Sequence, residues 1–443
     1  MSTDTTAPDI EHAPDVRCHP APGDPAPSVP ASSDPAPGDP APPGGTLRTN
    51  RDFRRLWIGQ ATSEFGSSIA ALALPLLILA VTGSAAVTGL TATLVFATVW
   101  ALQLPAGYAA DRWNRRRVML ICETVRGLAQ LILVAAILTH TVHIWLVMVL
   151  VVVSSAAWAF FIPAQLRTMR AIIRTDQIVE AVAVNQARGY TADLLGPLLG
   201  GALFGIGRAV PFLVDIVSFA VSGWSVARVA PRADPGRRPA PAPGTALAEI
   251  RRGWQYVWRQ PLLRSSMFYS TASNFIATGL LFSVIIVAGD RPGGGTAIGA
   301  AVMIASAGGI AGAALAPRAQ RRFLVRTILL TTGTLRILVI AAFAVTKQPV
   351  LLGMLLAVYI LLAPTANTAL SATRTRLIPP DILGRASSSS SFVATGLQPL
   401  APLVFGLVLP HFPQLAILSL SALTALVTLY VWRSAGFKGE EAR

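Results

Sequence analysis

Glu64 and Asp193 are the residues of this chain best placed to do chemistry. Each is a carboxylate set within a long apolar run, and Arg188 lies five residues before Asp193. A charge at the middle of a membrane helix costs about 2.5–3.5 kcal/mol on insertion scales, so each such group needs a function or a partner. A carboxylate facing a cavity can take up and release a proton. Glu64, Asp193 and Arg188 are therefore candidates for proton coupling, and a fixed Glu64–Arg188 ion pair is the static alternative. Glu123 and Arg126 stand three apart, can pair on one helical face, and read as structural. Nothing resembles a catalytic set. His12, His19, His140, His143 and His411 are scattered without metal-ligand spacing, and no phosphate-binding glycine loop is present. Cys18 and Cys122 imply no disulfide framework. The expectation is a protein that is not an enzyme and that needs no metal or cofactor.

The elements that must position these groups are membrane helices. The chain has 53% hydrophobic and 13% charged residues and a mean hydropathy of +0.57. Soluble domains carry about 25% charged residues. The apolar runs are near 20 residues, the length that crosses about 30 Å of hydrocarbon. They predict twelve spans at 53–81, 86–110, 117–138, 143–163, 180–206, 211–229, 264–288, 297–317, 325–345, 349–371, 384–408 and 412–432. Arginines gather in alternate gaps between them, as at Arg112, Arg115, Arg116 and Arg117, then Arg167, Arg170 and Arg174, then Arg318, Arg321 and Arg322. Basic residues kept on one side of a bilayer give this alternation, which places both termini in the cytoplasm. The net charge of +15 is then accounted for by short loops facing anionic headgroups, not by nucleic acid. No secretory signal precedes the first span, which is expected to act as the insertion signal.

Five segments follow. Residues 1–46 are rich in proline and acidic residues, repeat APGDPAP at 21–27 and 36–42, and read as an extended cytoplasmic tail. A first six-helix bundle covers 47–229 and a cytoplasmic linker covers 230–263. A second bundle covers 264–433, and 434–443 form a short cytoplasmic tail. In the linker, residues 246–259 read as an amphipathic interfacial helix with Leu247, Ile250, Trp254 and Val257 on one face. The halves echo each other. GYAADRWNRRR at 107–117 and GAALAPRAQRR at 312–322 lie 205 residues apart, and so do IRTD at 173–176 and IPPD at 378–381. Two loops at one offset indicate a parallel repeat of six helices.

The run Gly107-x3-Asp111-Arg112-x2-Arg115-Arg116-Arg117 resembles motif A of the major facilitator superfamily, in the loop between helices 2 and 3. Gly189-x6-Gly196-Pro197-x2-Gly200-Gly201 resembles motif C, which that family associates with drug/proton antiporters. Glu249 to Arg264, with Gly253, Tyr256 and Pro261, and Phe212-x2-Asp215-x2-Ser218-Phe219 look like the enterobactin-exporter-like and macrolide-efflux-like branch. The resemblance covers about residues 50–435. It implies an all-α integral membrane fold of twelve helices in two pseudo-symmetric six-helix bundles. It further implies that Asp111 meets the N-terminal end of helix 11 near Gly384 and closes the cytoplasmic side, and that Gly107 permits close helix approach. Gly196-Pro197 bends helix 5 and exposes a carbonyl, and Gly200 and Gly201 let that helix pack on the opposite half. Gln103, Asn185, Gln186, Asn274, Asn367, Gln398 and the serine run 387–391 lie on helices that line the cavity in the family, with Trp100, Trp158 and Phe161 as apolar wall. The second copy of motif A has Ala316 where the first has Asp111. Helix 4 lacks the arginine of motif B, so the usual proton relay does not carry over.

The resemblance points to a secondary active exporter of a small amphipathic molecule, working as a monomer in the bacterial plasma membrane in exchange for protons. Import of a small metabolite is the alternative within the fold. A non-transporting scaffold or sensor is the alternative from another class.

Overall fold

The computed structural model describes residues 47, 49–174, 177–229, 254–289, 294–346, 348–378 and 383–434. The first half holds α1 (Arg51–Thr82), α2 (Ala85–Arg112), α3 (Arg115–Leu138), α4 (Ile144–Ile172), α5 (Ile178–Ile206) and α6 (Val210–Ala227). The second holds α7 (Pro261–Gly289), α8 (Gly294–Arg322), α9 (Val325–Val345), α10 (Pro349–Leu377), α11 (Leu383–Gly396), α12 (Leu400–Val408) and α13 (Pro413–Arg433). Eleven described stretches are long and apolar enough to cross a bilayer. The twelfth crossing is α5, whose apolar portion is Thr191–Ile206. The protein is a multi-pass membrane protein.

Local chemistry sets the helix ends. Asn50, Ser84 and Asn114 each cap a helix by accepting from a backbone amide three residues on. Gly83 ends α1 in the left-handed region at φ +63° and returns its amide to the Leu79 carbonyl. Four expected spans change. The eighth and tenth run on five and six residues, to Arg322 and Leu377. The fourth continues through Pro163 to Ile172, because a membrane helix tolerates proline when neighbours satisfy the freed carbonyl. The eleventh is not one helix over 384–408. It breaks at 397–399, beside Gly396 and Pro399, into α11 and α12.

Packing repeats between the halves. Within the first half, α1 packs on α5 and α6, α2 on α4, and α3 on α4 and α6. Within the second, α7 packs on α11, α12 and α13, α8 on α10, and α9 on α10 and α13. Arg116, second residue of α3, donates to the carbonyl of Ala227 at the end of α6. Arg326, second residue of α9, donates to the carbonyl of Trp432 at the end of α13 at 3.1 Å. In each half an arginine neutralises the negative end of the last helix.

The halves differ in buried charge. Arg126 and Arg336 are each the twelfth residue of their helix, α3 and α9, and both are buried. Arg126 has carboxylates nearby. Arg336 rests over the Tyr359 ring at 4.8 Å, and the described helices of the second half contain no Asp or Glu.

Between halves, the fifth helix of each meets the second helix of the other, α5 on α8 and α12 on α2. Gly89 and Gly406 set the approach of α2 and α12. A methyl on Gly89 would overlap the Pro402 carbonyl, and one on Gly406 would press on the Ala85 carbonyl. Trp100 stacks on Phe392 at 4.5 Å and donates to its carbonyl at 2.9 Å. Leu72 and Leu76 pack with Phe204, Ile285 and Val302. These contacts run from the middle of the helices to the end that carries Thr82, Ala85 and Val408.

Of the linker, 254–259 is helical. Val257 is buried against Leu263, Met267 and Ile378, and the Tyr256 hydroxyl donates to the Leu377 carbonyl at 2.7 Å. Trp254 does not share this buried face as expected. It stacks on Trp258 at 5.5 Å, and both rings are exposed, the disposition of an aromatic belt at headgroup level. The remainder of 246–259 and both tails lie outside the described residues.

Overpacking costs about 1–3 kcal/mol, and at Gly89 the neighbour is backbone and cannot yield. Gly89→Val should lower the thermal midpoint and lengthen the distance between spin labels at Ser84 and His411. An unchanged distance would show that these glycines do not hold the halves together.

Candidate functional site

The sequence of α5 builds the site. Gly189 leaves room for the Glu64 carboxylate, which lies 3.3 Å from where a Cβ would be. Arg188 Nε then donates to Glu64 Oε2 at 2.6 Å, so these two candidates are joined across α5 and α1. The arginine side chain is 11% exposed and the carboxylate 31%, which orients the pair toward a solvent-accessible wall.

Pro197 shapes the backbone about two turns further on. Having no amide hydrogen, it leaves the Asp193 carbonyl without a helical donor. Ser306 Oγ on α8 takes that carbonyl at 2.9 Å. The same hydroxyl also lies 2.9 Å from the Val302 carbonyl of its own helix, so its one proton is shared between a bond within α8 and a bond between the halves. Gly200 acts differently from expectation: with Gly196, it seats α5 on Ser68 and on the Ile69 carbonyl of α1, inside the same half, because α1 and α5 are bundle neighbours. Gly201 is buried.

Two cavities meet at Asp193. A central cavity of 860 Å³ lies between the halves, walled by α1, α5, α7, α8 and α10, and includes Asp193, Ser306, Asn367 and Thr368. An inner chamber of 390 Å³ lies within the first bundle and is lined by Glu64, Arg126, Gln130, Trp158, Asp193 and Asp215, among others. Ser68, Ala71 and Asp193 belong to both walls.

A polar network closes the chamber. Asp215 accepts from Gln130 at 2.9 Å, from Ser67 at 3.2 Å and from Ser218 at 3.1 Å. Arg126 donates to Ser67 at 2.9 Å and lies over the Trp158 and Phe219 rings at 4.8 and 4.4 Å. Glu123 accepts from Ser222 at 2.5 Å. Glu123 and Arg126, expected to pair, form no direct ion pair. The serines and rings between helices take their place, leaving Glu123 Oε2 and Arg126 Nη1 without partners. Asp215 is buried at 1% exposure, and its place in an apolar run is the sequence signal for it, since a buried carboxylate needs donors.

The remaining candidates divide. Asn367 lines the central cavity. Asn274 instead donates to the Ala394 carbonyl at 3.0 Å and Gln398 to Thr278 at 3.1 Å, so both tie α7 to the α11–α12 segment, as polar side chains between membrane helices do. Asn185 reaches the Met169 sulfur. Gln103 is exposed and absent from the linings of both cavities. Trp158 lines the chamber and stacks on Phe161, which is fully buried. Ser389 and Ser390 are buried. The side chains of Gln186, Ser387 and Ser388 lie outside the described residues.

Around motif A, Arg112 lies over the Tyr108 ring at 4.2 Å, Arg116 caps α6, and the Arg117 amide is capped by Asn114. Arg115 is half-buried. Gly107 does not serve close packing here, since a Cβ would meet nothing within 4 Å. The side chain of Asp111 and those at 383–388 lie outside the described residues. Among the described residues no group of His, Cys, Asp and Glu could hold a metal ion.

Removing one partner of a mostly buried ion pair strands the other charge. Glu64→Gln should lower the thermal midpoint of the purified protein more than the double change Glu64→Gln with Arg188→Gln. Equal losses would show that the two groups are not coupled.

Comparison with known proteins places this architecture. The uncharacterized MFS-type transporter YkuC of Bacillus subtilis is 26% identical over 242 residues, 52% of this chain and 55% of YkuC. Macrolide efflux protein A of Streptococcus pyogenes is 22% identical over 178 residues, 40% of this chain and 44% of that protein. The multidrug efflux pump Tap of Mycobacterium tuberculosis is 25% identical over 289 residues, 60% of this chain and 66% of Tap. The chain thus spans roughly half to two-thirds of the length of these curated relatives. A crystal structure of a mutant nucleoside transporter NupG superposes with a TM-score of 0.71 at 14% identity, covering 86% of this chain and 99% of NupG, a likeness of fold. The family description of the Major Facilitator Superfamily matches residues 56–402. With its paired six-helix halves around a central cavity, this chain is a transporter-fold member of the Major Facilitator Superfamily.

Proposed function

We propose that this protein exports a small amphipathic molecule in exchange for protons by alternating access. The observation that carries the reading is Asp193. It stands where the central cavity meets the inner chamber, beside the Glu64–Arg188 pair. A carboxylate there can hold a proton while the cavity is empty and release it when cargo or a changed surrounding favours the charged form. Relatives named for macrolide and multidrug efflux support the direction. In this reading the arginine-bearing loops and both termini face the cytoplasm of a bacterial cell, and the chain works as a monomer. Contacts at the Thr82–Ala85 end then seal the outer side, and the cavity receives cargo from the cytoplasm or inner leaflet. Asp111 and Arg112 close the cytoplasmic side in the alternate state. The wall is mostly apolar, with Asp193, serine, threonine and asparagine as its polar points, which suits an amphipathic compound better than a sugar or phosphate.

Inverted membrane vesicles energised with protons inside test this. Ethidium should accumulate in vesicles carrying the wild-type chain. Asp193→Asn should lower that proton-driven accumulation at least ten-fold while leaving downhill ethidium exchange in place. Full proton-driven uptake by Asp193→Asn would remove this residue from the mechanism.

A further inference from the structure

Six described helices carry a proline beyond their first turn: Pro75, Pro105, Pro163, Pro197, Pro317 and Pro364. Each deprives the carbonyl four residues earlier of its amide donor. In a membrane such a carbonyl must find another donor, in protein or in a water-filled cavity. The six carbonyls belong to Ala71, Ala101, Ala159, Asp193, Ala313 and Ile360. Four of these residues, Ala71, Asp193, Ala313 and Ile360, line the central cavity. The other two are on α2 and α4, which contribute nothing to its wall. Every cavity-bordering helix with a proline beyond its first turn therefore has the residue of its released carbonyl on the wall.

The distribution is balanced. Ala71 and Asp193 belong to the first half, and Ala313 and Ile360 to the second. Ser306 satisfies the Asp193 carbonyl. Among the described residues, the carbonyls of Ala71, Ala313 and Ile360 accept no side-chain hydrogen bond. The charged group on the cavity wall is the Asp193 carboxylate. Both halves thus place residues with proline-released carbonyls on the wall.

We propose that these proline-released carbonyls form the recognition surface of the central cavity, and that its ligand is an apolar cation bearing two or more N–H donors. An aromatic diamine or amidinium has that chemistry. A ligand bonded to Ala71 on one side and to Ala313 or Ile360 on the other would tie the halves together while bound. This deepens the transport reading above and rests on it.

The test uses two acridines of equal ring and charge. Proflavine carries two amino groups, and acridine orange carries the same nitrogens fully methylated. The full chain in lipid nanodiscs should bind proflavine at least five-fold more tightly than acridine orange, although the latter is more apolar. Pro75→Ala and Pro317→Ala restore the missing amide without changing any side chain on the cavity wall, since neither proline lines it. Each should abolish the preference by weakening proflavine alone, and Pro105→Ala should leave it intact. The acridine comparison on the wild-type chain needs no variant to fold. Equal affinity for the two dyes, or a preference unmoved in Pro75→Ala and Pro317→Ala, overturns the inference. If the wild-type chain still drives ethidium uptake in that case, transport stands and carbonyl recognition alone is lost. If it drives none, the transport reading fails as well.

Discussion

One missing hydrogen organises the centre of this protein. Pro197 has no amide proton to give, so the Asp193 carbonyl turns to Ser306 on the other half at 2.9 Å. A carbonyl without a donor costs several kcal/mol in hydrocarbon, and here the serine or the open cavity beside it supplies the partner. Asp193 also borders both cavities. A titratable group and an attachment between the halves thus belong to the same residue. Gly196 and Gly200 support the arrangement from behind by letting α5 lie close on α1.

The halves share a scaffold and differ in electrostatics. The helix pairings repeat, and Arg116 and Arg326 cap equivalent helix ends. Yet the first half buries Glu123 and Asp215 around Arg126, while the second buries Arg336 with aromatic cover alone. Titratable carboxylates therefore sit on one side of the cavity. The other side offers backbone and hydroxyl groups, and a conformational change moves these unlike walls relative to each other.

Much of the architecture was legible from residue order. Hydrophobic runs located the helices to within a few residues in most cases, because a bilayer imposes length and polarity on each crossing. The 205-residue echo revealed the repeat. The adjacency of helices 1 and 5 in the resembled fold was enough to suggest that Arg188 meets Glu64. Lateral relationships were harder. Asn274 and Gln398 were assigned to a cavity wall and instead tie helices together, since polarity alone does not say which face of a buried helix a residue occupies. Gly200 was matched to the wrong neighbour for the same reason. Glu123 and Arg126 had pairing geometry along their own helix, but serines and rings from α1, α4 and α6 competed successfully. The split of the eleventh span followed from Gly396 and Pro399, whose local effect was outweighed in the reading by strong hydrophobicity on either side.

Arg336 carries a consequence for how the chain is made. It stands at the centre of α9, and the ring that covers it belongs to the following helix. Delivered to lipid one helix at a time, α9 would expose a bare guanidinium to the acyl chains before Tyr359 had been synthesised and released. A charge there costs about 2.5–3.5 kcal/mol on insertion scales, and entry of α9 together with α10 removes that cost by covering the cation before it meets lipid.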